Sequence, residues 1–81
     1  MQNLSLKDFL TETDIQRCIE LTSAQDICAH VIAPNIDRIN ATLGQKNDPM
    51  FLAYAVLYAK TQSKIGEVPI WYALTQARNH R

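Results

Sequence analysis

The chain has 81 residues, 47% of them apolar and 20% charged, with eight Lys and Arg balancing eight Asp and Glu. That length allows one domain spanning 1–81, and the composition excludes an intrinsically disordered chain. A net charge of zero gives no overall field to draw the protein onto nucleic acid or an anionic membrane.

Several further limits follow from the same numbers. A chain this short buries only roughly 60–65% of its unfolded surface, so self-association or a partner is expected to complete its stability. The start, Met1 to Leu10, carries neither the basic n-region nor the apolar core of a secretory signal, and a cytoplasmic location is expected. The longest apolar run, Met50 to Ala59, is about half of what a bilayer-spanning helix requires, so no membrane association is expected. Two cysteines, Cys18 and Cys28, are too few for a disulfide scaffold and read as reduced thiols.

In chain order the signals are all helical. Ser5 with Asp8 suits a capped turn over Leu6 to Leu10, and Thr13 with Gln16 forms a capping-box pattern for a helix from Asp14 to about Thr22. Ile15, Cys18 and Ile19 would form the buried face of that helix. Ser23 with Asp26 suits the next N-cap. It is followed by Ala24, Ile27, Cys28, Val31, Ile32, Ile36, Ile39 and Leu43 at steps of three and four. Pro34 falls inside this long amphipathic pattern, where it removes a backbone donor and clashes with the carbonyl of His30. The helix kinks or breaks there, and the unbroken apolar spacing favours a kink.

Leu43-Gly44 supplies a left-handed helix end, and Asp48-Pro49 an N-cap followed by proline at the first helical position. Residues 44–48 are thus a short connection between antiparallel neighbours. The helix after Pro49, expected to reach about Lys64 and to stop at Gly66, is apolar nearly all round from Met50 to Ala59. Such a helix is normally covered on several sides, and a chain with few other helices would leave one face open. Pro69 opens a last helix with Ile70, Ala73, Leu74 and Ala77 on one face and Trp71 and Tyr72 flanking it. The expected fold is all-α: a small bundle of about four helices with a long central helix kinked near Pro34.

Chemistry-bearing residues are sparse. Cys18, Cys28, His30 and His80 are metal-ligating types, but Cys28 and His30 lie two residues apart and face opposite sides of a helix. Asp26 and His30 stand one turn apart and could form a base dyad, yet no nucleophile or glycine-rich loop accompanies them. A helix-turn-helix reading of 14–33 fits in length, but Asp14, Glu20 and Asp26 outnumber Arg17. Neither a metal nor a cofactor is expected, and no catalytic residue is assigned.

The remaining signal is aromatic. Tyr54 and Tyr58 share a helix face that continues toward Gln62 and Ile65, and together with Trp71 and Tyr72 they form a candidate protein interface. The sequence therefore reads as a non-catalytic interaction module, a homodimer that regulates or scaffolds a partner. An acidic head (Asp8, Glu12, Asp14, Glu20, Asp26) and a basic tail (Lys60, Lys64, Arg78, Arg81) could orient the two copies. Two other readings stay open. One is a nucleic-acid-associated regulator using that basic tail with Trp71 and Tyr72, which the neutral charge disfavours. The other is a small-molecule pocket at the Pro34 bend.

Overall fold

A computed structural model of the chain describes residues 4–61 and 65–79. The described residues are all-α, with five α-helices: α1 (Glu12–Glu20), α2 (Ala24–Ile27), α3 (Ile36–Leu43), α4 (Pro49–Lys60) and α5 (Ile70–Asn79). Because α2 runs into α3 through a π-turn (Cys28–Ile32) and a 3₁₀ turn (Ala33–Asn35), the globule is built from four helical rods. Short 3₁₀ turns at Leu6–Asp8 and Ile65–Glu67 complete it. No described helix is long and apolar enough to cross a membrane.

Most ends are fixed by the expected chemistry. The Asp8 carboxylate accepts from the Ser5 N–H at 2.7 Å, closing the first turn. Ser23 Oγ accepts from the Asp26 N–H at 3.1 Å, and Asp48 Oδ1 from the Met50 N–H at 2.8 Å, with Pro49 at the start of α4. Gly44 takes φ 76°, and the N–H groups of Gly44 and Gln45 both return to the Asn40 carbonyl, at 2.9 and 3.2 Å. Asn40 Oδ1 then accepts from the Asn47 N–H at 3.0 Å, fastening the connection to α4.

Three local expectations change. Thr11, not Thr13, caps α1, its hydroxyl accepting from the Asp14 N–H, so the helix begins two residues earlier. Within α1 Cys18 is fully buried, and Ile19 is exposed rather than buried. The third concerns α4, which stops at Lys60, because the Thr61 N–H turns back to the Tyr58 carbonyl and its hydroxyl donates to the same oxygen. Gly66 belongs to a separate turn.

Pro34 interrupts the α-helical pattern without ending the helical run. Upstream the Ala33 N–H reaches back five residues to the Cys28 carbonyl, and downstream the Ile36 N–H reaches back three to Ala33. Within the bend, Asn35 Nδ2 donates to the Val31 carbonyl at 2.7 Å. Arg38 donates to Asn35 Oδ1 at 2.9 Å and reaches Asp14 of α1 at 3.6 Å.

Helix α4 is the hub, packing on α5, α2 and the π-turn and touching α1. Its Leu52, Ala53, Ala55, Val56 and Ala59 are buried, meeting Ile27, Val31, Ile32 and Ile39 from the bent rod and Ile70, Ala73, Leu74 and Ala77 from α5 in one core. Five of the buried side chains on α4 and α5 are alanines: Ala53, Ala55, Ala59, Ala73 and Ala77. The N-terminal segment closes one end, with Leu6, Phe9 and Leu10 buried and the Ile70 N–H donating to the Leu4 carbonyl at 2.6 Å. The side chain of Lys60 donates to the carbonyl of Leu21, which ties the end of α1 to α4.

Candidate functional site

The face of α4 turned away from the core holds Tyr54, Leu57, Tyr58 and Thr61, at steps of three, four and seven residues. That is one longitudinal stripe of a helix. With Ala77 of α5 they line an open groove of about 410 Å³. Tyr54 is 44% exposed, and Leu57 and Tyr58 are half-buried.

Tyr72, 52% exposed on α5, extends the stripe sideways. Its ring meets that of Tyr58 edge to face, with centroids 5.8 Å apart at 69°. The Tyr58 hydroxyl donates to that of Tyr72 at 3.3 Å. This bond, then partial desolvation, raises the Tyr58 pKa above its ordinary value. The Tyr58 phenol is therefore neutral at physiological pH. Among the described residues no charged side chain lines this groove.

Of the four aromatic residues singled out in the sequence, three meet here. Trp71 goes elsewhere: one residue before Tyr72 on α5, it is rotated by about 100° and lines a second groove with Phe51, Leu74 and Arg78. Leu57, Thr61 and Ala77 were not anticipated. The first two were legible as positions three and seven after Tyr54. Of the expected continuation, Ile65 sits in the turn after α4 and not on that helix, and Gln62 lies outside the described residues.

The other candidates are dispersed. Cys18 and Cys28 are free thiols. Burial of Cys18, and secondarily the Asp14 carboxylate, push its pKa up to about 11 against a smaller opposing effect of Lys60. Such a thiol is a poor nucleophile and metal ligand. Asp26 and His30 are both exposed, and His80 lies outside the described residues. In the basic tail, Lys60 is engaged with the Leu21 carbonyl and Arg78 lies 5.9 Å from the centroid of the Phe51 ring, while Lys64 and Arg81 lie outside the described residues. In the acidic head, Asp8 closes the first turn and Asp14 faces Arg38. Pro34 lines neither groove.

No family model matches the chain, and neither does any curated protein or solved structure.

Proposed function

We propose that the protein is a non-catalytic helical interaction module that forms a homodimer through the outer face of α4 and serves as a regulator or scaffold in the cytoplasm. The observation that carries this reading is the stripe of uncharged side chains Tyr54, Leu57 and Tyr58 on the central helix, extended by Tyr72, with Tyr54 and Tyr72 exposed and the other two half-buried. Tyrosine supplies a large ring with little side-chain entropy to lose and a hydroxyl that can either donate or accept. A face made of such groups can meet its own copy across a two-fold axis without opposing like charges. The unpaired thiols Cys18 and Cys28 suit a reducing compartment.

Contact along this stripe would remove apolar area from water at about 25 cal/mol per Å², against an association cost of several kcal/mol. A dimer that dissociates in the micromolar range is the expected balance. Sedimentation equilibrium between 1 and about 100 μM, on that affinity scale, tests it, with Tyr54→Glu and Tyr58→Glu as variants. The wild type should show a concentration-dependent monomer–dimer equilibrium, and each glutamate should shift it to monomer while helicity by circular dichroism is retained. A wild type that stays monomeric throughout defeats the proposal, as does a dimer indifferent to both substitutions.

A further inference from the structure

The second groove differs in its lining from the tyrosine stripe and shares no residue with it. It has a volume of about 370 Å³ and is lined by Gln45, Phe51, Trp71, Leu74, Thr75 and Arg78. Its walls are aromatic and aliphatic, and among the described residues its single charge is the Arg78 guanidinium. Among the described residues no carboxylate lies within ion-pair distance of Arg78. The Phe51 ring, 5.9 Å away, faces the guanidinium carbon. An aromatic ring attracts a guanidinium without accepting its N–H groups as a carboxylate does, and Arg78 is exposed, so those donors remain available. Thr75 already donates its hydroxyl to the Trp71 carbonyl at 2.9 Å, which leaves Arg78 as the strong anchor for an acceptor.

From this juxtaposition we infer that the groove docks a short acidic, aromatic segment of a partner protein, one carboxylate engaging Arg78 and a neighbouring apolar side chain resting against Trp71 and Phe51. The charge decides the class of occupant. A basic segment would oppose Arg78, and an uncharged apolar one would leave its N–H fork unmatched in an apolar surround. Single-stranded nucleic acid needs several phosphates neutralised along its path, and Lys60 is already spent on the Leu21 carbonyl. The site is separate from the tyrosine stripe, so the inference does not depend on self-association.

Trp71 is the only tryptophan in the chain, so its emission reports on this groove directly. The probe is a blocked twelve-residue peptide of Glu, Asp, Phe and Ser, titrated at low salt against counterparts with Gln and Asn, or Lys, in place of the acids. The acidic peptide should change Trp71 emission saturably, and the amide and lysine versions should bind at least tenfold more weakly. Arg78→Gln should weaken binding at least tenfold, Arg78→Lys less, and Tyr58→Glu not at all, each with native helicity. The inference is overturned by the absence of saturable binding up to millimolar peptide, by equal binding of the lysine peptide, by an unaffected Arg78→Gln protein, or by tighter binding of oligothymidylate than of the acidic peptide. Loss of binding in Tyr58→Glu would also overturn it, since it would place the peptide on the self-association face.

Discussion

Asn35 is the residue on which the bend at Pro34 most depends. Proline deprives the rod of one backbone donor, and the surrounding turns change their hydrogen-bond step from five residues to three. Asn35 sits at φ −110°, ψ 9°, outside the helical region, and its side-chain amide supplies a donor to the carbonyl of the buried residue Val31 at 2.7 Å. Removing one partner of a partly buried pair costs about 1–3 kcal/mol, more than the net worth of the bond, because the carbonyl is left short of a donor. Alanine at this site gains little in return, since the residue is not in regular helix. Asn35→Ala should therefore destabilise the fold by about 1–2 kcal/mol, a drop in Tm of roughly 4–16 °C for a domain of this size. Asn35→Asp is the sharper variant. It keeps the shape and the acceptor for Arg38 but loses the donor, so it should also be destabilised, by a similar amount. Arg38→Ala, which removes the 2.9 Å bond to Asn35 Oδ1 and the exposed contact with Asp14, should cost about 0.5–1 kcal/mol. The double variant should fall short of additivity by at least about 0.5 kcal/mol, because Arg38 acts partly through Asn35. Urea unfolding followed by circular dichroism measures all four. An Asn35→Asp protein as stable as wild type, or strictly additive Asn35 and Arg38 effects, would refute the idea that this side-chain chain braces the bend.

Three further outcomes follow from single positions. A Cβ built at Gly44 meets nothing within 4 Å, so only the backbone at φ 76° resists substitution: Gly44→Ala should cost about 1 kcal/mol in a urea midpoint assay, Gly44→Val more and Gly44→Asn less. Lys60→Met keeps most of the apolar stem but removes the hydrogen bond to Leu21, and should cost about 0.5–1.5 kcal/mol with the loss seen first in amide-exchange protection of α1. Cys18 gives a pH test. Its folded pKa of about 11 lies above the ordinary value of 9.0, so between those values the unfolded chain binds fewer protons and stability falls as pH rises. The difference in unfolding free energy between wild type and Cys18→Ala should be flat below pH 8 and shrink from pH 9 to about 11. A constant difference across that range would mean the thiol is not held neutral by the fold.

Much of this architecture was legible because its ends are written in short-range chemistry. Ser23 with Asp26, Leu43-Gly44 and Asp48-Pro49 each bring a side chain or a backbone freedom to a group one turn away, so they need no knowledge of the rest of the chain. At α1 two threonines compete two residues apart, and their own spacing cannot say which becomes the cap. Thr11 prevails in a structure where Cys18 is fully buried and Ile19 exposed. The π-turn at Cys28–Ile32 was equally hidden, since apolar steps of three and four look the same whether a helix bends through a proline or tightens and loosens around it. For the candidate site the limit is of another kind. The ten apolar residues of α4 announce a helix with more apolar surface than neighbours, but they do not announce which side is left uncovered. That is decided by where α5, α2 and the π-turn lie against it, and these cover Leu52, Ala55, Val56 and Ala59. Tyr54, Leu57 and Tyr58 are what remains. On α5 the same geometry separates Trp71 from Tyr72, residues that stand side by side in the sequence: Trp71 lines one groove and Tyr72 meets Tyr58 of the other. Packing of α5 on α4 thus leaves two grooves with no residue in common, and among the described residues Arg78 is the charged member of one while the other has none.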